Sequence, residues 1–167
     1  MACDIIHVVG ARPNFAKMAP VYKALKNLRV SQKILHSGQH YDHNMSGSFF
    51  KDLDIPEPDI QLSIKGKTQG QQTGEVLEKI EAALSEAKPR IVCVYGDINT
   101  TVAAALSAKK FGAILAHIES GLRSFDTSMP EEINRLLTDH ISEICFAPTT
   151  NAVSNLEKEG IEKSKII

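Results

Sequence analysis

No stretch of this chain comes near the roughly 18 uninterrupted apolar residues that a membrane-crossing helix needs. Nor does it open like a secretion signal: Asp4 and His7 interrupt the first apolar run, and no basic segment precedes it. An excess of one sign of charge is lacking too. A net charge of −1 leaves no electrostatic footprint for nucleic acid or an anionic membrane surface. Cysteine is sparse: Cys3, Cys93 and Cys145 are odd in number, and two of them sit inside apolar runs. That argues against a disulfide framework and fits a cytoplasmic protein with reduced thiols, Cys93 and Cys145 acting as small core residues. No base is visibly paired with any of them, so none reads as a nucleophile.

Several ligand motifs are missing or broken. The G-x-G-x-x-G dinucleotide fingerprint does not occur. Gly66-Lys67-Thr68 imitates the end of a phosphate-binding P-loop, but Gln61 stands where its first glycine belongs. His117-Ile118-Glu119 imitates the start of a zinc deaminase signature, yet no P-C-x-x-C follows. His40 and His43 lack a third ligand, so no metal site is expected.

What is present is an ordinary globular composition, 43% hydrophobic and 23% charged, over 167 residues, the length of one domain. Apolar runs alternate with amphipathic segments of helix length, the pattern of βαβ units and a parallel sheet. The expected strands are 5–9, 33–36, 91–95, 114–118 and 144–147, with at most a short one at 60–62 between prolines. Helices are expected at about 13–26, 45–53, 75–87, 101–111, 130–141 and 151–159, the third from the i, i+3, i+4 spacing of Val76, Leu77, Ile80, Ala83 and Leu84. Residues 63–72, polar and glycine-bearing, read as a mobile loop. No repeat or interdomain linker occurs, and Ile166-Ile167 looks like a new strand cut short.

The chemistry concentrates between Val92 and Arg135. The third long strand stops at Gly96 and presents Asp97; the next stops at Glu119, with Arg123 shortly after. In an open α/β sheet, ligands bind outside the carboxyl ends of the strands. Asp97 or Asn99 would alternatively cap the following helix. Glu119 has no helix to cap; a partly buried glutamate needs a partner, and Arg123 or Arg135 is the candidate. Glu131 and Arg135, four apart, lie on one helix face. At the first strand end, Gly10-Ala11-Arg12-Pro13 turns into a proline-initiated helix whose free N–H groups suit an anion, with the planar charge of Arg12 beside them. Alone, that turn is equally a structural one.

Four blocks taken together resemble one family. GARPNFAKMAP (10–20), SGQHYD (37–42), VYGDINTTVAAALSAKKFGAILAHIESGLRS (94–124), and MPEEINRLLTDH followed by FAPT (129–149) are similar to the non-hydrolysing UDP-N-acetylglucosamine 2-epimerases. The resemblance runs from residue 5 to the end of the chain. It implies a Rossmann-like three-layer domain with a parallel sheet, one half of a two-domain GT-B arrangement. The second, nucleotide-binding domain, which brings a further catalytic histidine, would be absent from residues 1–167. The implied reaction interconverts UDP-GlcNAc and UDP-ManNAc, which feed surface polysaccharides. UDP leaves C1 as the C2 proton is removed, and then adds back with a proton delivered to the other face. No metal or nicotinamide cofactor is implied.

Carried over by position, Asp97, Glu119 and Glu131 match the family's active-site acids and Arg135 the arginine of its PEE-x-NR helix. Gly10, Arg12 and Pro13 match the turn near the diphosphate, and Arg123 the GLR arginine, placed with the substrate-binding residues. Gln39 and His40 match a loop that in bacterial members helps hold a second, activating UDP-GlcNAc. Tyr41-Asp42-His43 departs from that pattern, which puts such regulation in doubt here. The resemblance also implies dimer contacts made largely by this domain. Alone, the chain is expected to show negligible epimerase activity, whether it is the half of a longer enzyme or a module working with a separately encoded half. The other readings are a non-catalytic nucleotide-sugar binding module and a hydrolysing 2-epimerase that releases ManNAc. Relatives of the latter lack the GLR and PEE-x-NR pattern.

Overall fold

The computed structural model describes residues 3–38 and 47–167. Six parallel strands form one sheet: β1 (Ile5–Val9), β2 (Gln32–His36), β3 (Ile60–Gln61), β4 (Ile91–Tyr95), β5 (Ile114–Ile118) and β6 (Ile144–Phe146). Their spatial order is β3-β2-β1-β4-β5-β6. The chain therefore moves outward from β1 to one edge, returns, and moves outward again from β4. The switch point lies between β1 and β4, where a doubly wound sheet opens its ligand crevice. Register runs Ile5 opposite Ile91 on one side and Val94 opposite His117 on the other.

Helices alternate with the strands: α1 (Arg12–Asn27), α2 (Gly47–Asp52), α3 (Gln69–Ala87), α4 (Asn99–Phe111), α5 (Pro130–Ile141) and α6 (Thr150–Lys158). Side chains alternate across the strands, so the sheet has two cores. Ile6, Val8, Val92, Val94 and Leu115 pack with Val76, Ile80 and Leu84 of α3 and the alanines of α4. Ile5, Val9, Ile34, Tyr95 and Ala116 pack on the other face with Phe15 and Met18 of α1 and Phe50 of α2. All three cysteines are free and buried, and burial lifts the Cys93 thiol to about 12. Among the described residues no helix is long and apolar enough to cross a membrane.

One expectation changes and another is met. The helix expected at 75–87 begins at Gln69, inside the segment read as a mobile loop. Thr68 caps it: its side chain accepts from Gln71 N at 3.3 Å while Gln71 Oε1 accepts from Thr68 N, a reciprocal box that offsets Gly70 and Gly74 in the first turns. The preceding backbone is fastened as well, since Glu75 accepts from the N–H groups of Lys65 and Gly66. At the other end, Ile166 does pair in parallel fashion with Cys145, and Ile167 N donates to Cys145 O at 2.9 Å. The last residues thus lie alongside β6 as a strand would.

Candidate active site at the carboxyl edge of the sheet

Gly10 ends β1 at the switch point, and the site is built around it. A β-carbon there would fall 2.5 Å from Thr100 Oγ1 and 2.9 Å from Ser37 Oγ, two hydroxyls that are themselves 2.7 Å apart. Only glycine allows the β1, β2 and β4 ends to approach this closely. The free N–H groups expected in this turn are partly spent. Asn14, 3% exposed, accepts from Gly10 N and Ala11 N and donates to Tyr95 O at 2.9 Å, tying the β1 turn to β4. Pro13 occupies the first turn of α1. Arg12 next to it lays its guanidinium over the Phe49 ring, 4.8 Å from the centroid.

Gly96 follows β4 with φ +67° and turns the chain so that Asp97 stands just beyond the strand. Asp97 caps no helix: α4 is preceded by Ile98 and has no side-chain cap. Its carboxylate is held from α5, where Arg135 Nε and Nη2 both donate to Asp97 Oδ2 at 2.8 and 2.5 Å. Asn134, one residue earlier, donates to the Asp97 carbonyl at 2.8 Å. The neighbour on Arg135's other side is Glu132, 2.9 Å from Nη1, and not Glu131. Glu131 is half-buried at the start of the same helix and makes no hydrogen bond or ion pair among the described residues.

Glu119 adopts φ +77°, a left-handed backbone that a glutamate holds only when its surroundings dictate it. Its expected partners were Arg123 or Arg135. The structure gives it Lys17 of α1 instead, in an ion pair half-open to solvent. A β-carbon on Gly96 would lie 3.3 Å from Lys17 Nζ and 3.4 Å from Glu119 Oε2, so this pair packs on the turn that presents Asp97. Asp97 with Arg135 and Glu119 with Lys17 therefore form one charged patch over the β4 and β5 ends. Lys17 had no signal in the sequence beyond its place one turn after Arg12-Pro13.

Arg123 is not part of that patch. Its side chain is 1% exposed; it grips Glu159 through Nε and Nη2 at 2.7 and 2.6 Å, Asp139 through Nη2 at 2.7 Å, and the Leu122 carbonyl. That guanidinium is a buried link between the segment after β5, α5 and the end of α6. Glu132 is likewise structural. It accepts from Ser124 N, Ser124 Oγ, Phe125 N and Arg135, which pin the loop before α5 onto that helix. Burial pulls its carboxyl upward, but these four donors win and hold it at about 2. Gln39 and His40 lie outside the described residues, as does His43.

A doubly wound parallel sheet with carboxylates and fixed cations at its switch-point edge defines an α/β ligand-binding or catalytic domain. Comparison with known proteins places it more finely: the chain belongs to the UDP-N-acetylglucosamine 2-epimerase family, whose model matches residues 23–167. It is 49% identical over 159 residues to the UDP-N-acetylglucosamine 2-epimerase of Methanocaldococcus jannaschii, covering 95% of this chain and 43% of that protein. The crystal structure of the Methanocaldococcus jannaschii UDP-GlcNAc 2-epimerase in complex with UDP-GlcNAc and UDP superposes with a TM-score of 0.94 at 48% identity, over 98% of this chain and 45% of that one. A UDP-2,3-diacetamido-2,3-dideoxy-D-glucuronate 2-epimerase of Pseudomonas aeruginosa is 52% identical over 160 residues, 95% of this chain and 45% of that protein. The chain thus spans a little under half the length of these relatives. Acinetobacter baumannii MurG, at 13% identity and TM-score 0.65, shares the fold alone.

Proposed function

We propose that this chain is the acid–base half of a UDP-sugar 2-epimerase, acting on UDP-GlcNAc and UDP-ManNAc once a second, nucleotide-binding half is supplied. The observation that carries this reading is the pairing of Asp97 with Arg135 and Glu119 with Lys17 over adjacent strand ends, in a chain so close to known 2-epimerases. Epimerisation at C2 needs a base on one face of the sugar and a proton donor on the other, because the C–H bond is weakly acidic. It also needs negative charge near C1, where the departing diphosphate leaves oxocarbenium character. Asp97, Glu119 and Glu131 are the groups assigned that work. Arg135 and Lys17 hold the carboxylates of Asp97 and Glu119 in place, and Arg12 at the β1 turn is assigned to the diphosphate. Which acid takes the C2 proton is a property of the coupled set.

A second substrate is suggested by one relative. The Pseudomonas aeruginosa relative is as similar as the UDP-GlcNAc enzymes, so a UDP-sugar with a second acetamido group at C3 and a carboxylate in place of the C6 hydroxymethyl is the runner-up. The chemistry at C1 and C2 is the same for both.

The test joins residues 1–167 to the remaining part of the Methanocaldococcus jannaschii relative and incubates the product with each UDP-sugar in deuterated water. The expected result is deuterium at C2 of both epimers and transient free UDP, with no turnover by the 167-residue chain alone. Binding of UDP-sugar by the joined protein without C2 exchange would leave only a binding module, and the epimerase reading would fall.

A further inference from the structure

Asp139 lies on α5 at a spacing of four from Arg135 and eight from Glu131, on the same helix face. It is fully buried, as is His117 on β5. Neither residue reaches the charged patch, yet burying a carboxylate is costly unless every lone pair has a donor. Here they do. Asp139 Oδ1 is 2.6 Å from His117 Nδ1, and Oδ2 accepts from Gly121 N at 3.1 Å and from Arg123 Nη2 at 2.7 Å. Burial raises the Asp139 carboxyl, but the contacts with His117 and Arg123 outweigh it and leave it lowered.

The far side of His117 completes the chain of contacts. Its Nε2 is 2.8 Å from the Gly96 carbonyl, which can only accept, so that nitrogen carries a proton. This carbonyl belongs to the peptide that joins Gly96 to Asp97. The same glycine donates its N–H to Ile118 O at 3.1 Å, so the turn is clamped at both ends by β5. On the other arm, Gly121 follows Glu119 by two residues, and both have positive φ, +80° and +77°. Glycine takes that conformation freely, but in a glutamate it persists only where neighbours over-determine it.

We infer that Asp139 is the positioning residue of the site: acting through His117 on the Gly96–Asp97 peptide and directly on the Glu119–Gly121 turn, it locks the segments carrying Asp97 and Glu119 to the helix carrying Glu131. The inference rests on the proposed roles of those three acids, but its test reads geometry and not turnover, so the two fail separately. The charged groups around His117 and Asp139 are Arg123 and, behind it, Glu159.

Nuclear magnetic resonance of the 167-residue chain decides the matter. In His117→Asn the shorter amide keeps Asp139 within reach but loses Gly96. Amide exchange at Gly96 is expected to quicken at least about tenfold relative to Ile6 and Val92 in the sheet centre, with the Asp97 amide resonance displaced. In His117→Gln, whose amide nitrogen replaces Nε2, Gly96 exchange returns to within about threefold of the parent. In Asp139→Asn, long-range proton–nitrogen spectra of the ring are expected to show the Nε2 proton kept and Nδ1 unprotonated, because the new amide donates to Nδ1. Equal quickening across all sheet amides, or no change at Gly96 in His117→Asn, would overturn the inference. Should His117→Asn fail to fold, Asp139→Asn decides alone: an Nε2 proton retained with an unprotonated Nδ1 supports it, and any other ring state sinks it.

Discussion

Lys17 and Glu119 meet across 102 positions of sequence, the ammonium from the second turn of α1 closing on a carboxylate that β5 presents with a left-handed backbone. Both side chains keep about a third of their surface in solvent, so the pair itself contributes less than about 1 kcal/mol to folding. A contact of so little use to stability, on a residue with an unfavourable backbone, points to function. Lys17→Met is expected to leave the melting temperature of the chain within a few degrees. In the two-domain protein it is expected to lower turnover by on the order of 10²-fold, the scale of losing one preorganised electrostatic contact. Steady-state rates with UDP-GlcNAc, set beside melting curves, check both halves; a rate within about threefold of the parent would remove Lys17 from the site.

Glu132 makes the opposite prediction. Its carboxyl stands at about 2 in the folded chain, well below an unfolded glutamate, because four donors converge on it. A lowered folded value gives stability that is complete above the unfolded value and is lost as pH falls toward 2. The displacement corresponds to roughly 3 kcal/mol at neutral pH, for a side chain almost wholly buried. Urea unfolding of Glu132→Gln is expected to show a loss of about 2–3 kcal/mol at pH 7 that shrinks between about pH 4.5 and pH 2.5. An unchanged gap across that window would mean the charge is not what matters.

These two glutamates show what sequence could and could not supply. The β4 and β5 ends were legible because each apolar run stops at once, at Gly96-Asp97 and at Glu119, and a strand end is where side chains leave the core. The parallel sheet followed from the same runs, but its strand order, and so the switch point between β1 and β4, did not. Lys17 was not legible, since α1 carries several exposed cations and only the fold says which one meets β5. Nor could adjacency decide that Glu132, and not Glu131, turns inward against Arg135. The partners of Arg123 were hidden because Asp139 and Glu159 lie on elements far along the chain. The start of α3 was hidden by Gly70 and Gly74, although Thr68 and Gln71 at capping-box spacing were there to be read.

His7 gives the fold a second acid-sensitive point, in a different window. It is buried between Tyr95 OH at 2.7 Å and Gln32 Oε1 at 2.9 Å, and burial drives it down to about 4 despite the Gln32 contact. The unfolded chain takes up a proton near pH 6.5, while the folded one resists until about 4. Stability from this group is therefore full above about pH 6.5 and declines as pH falls toward 4. The parent chain should lose on the order of 3 kcal/mol across that range from His7 alone. In His7→Gln that slope should flatten, whatever the variant's stability at pH 7. Urea titrations at half-unit intervals of pH would show a persistent slope if His7 were not its source.

Gly96 is where backbone and side-chain requirements coincide, and Gly96→Ala separates them. At φ +67° an alanine costs about 1–2 kcal/mol for its conformation alone. Its β-carbon would also stand 3.3 Å from Asn14 Nδ2 and Lys17 Nζ and 3.4 Å from Glu119 Oε2. Asn14 is fixed by the β1 turn and cannot retreat, whereas Lys17 and Glu119 have solvent beside them and must give way. The chain is expected to remain folded, less stable by about 1–2 kcal/mol in urea. The two-domain protein, however, should lose turnover by more than the Lys17→Met variant does, because Lys17, Glu119 and the Asp97 peptide all shift together. Combining Gly96→Ala with Lys17→Met should then add little to the Gly96→Ala loss, since that substitution already displaces the Lys17–Glu119 pair. Fully additive losses in rate would show instead that Gly96 serves Asp97 by a route that does not pass through Lys17.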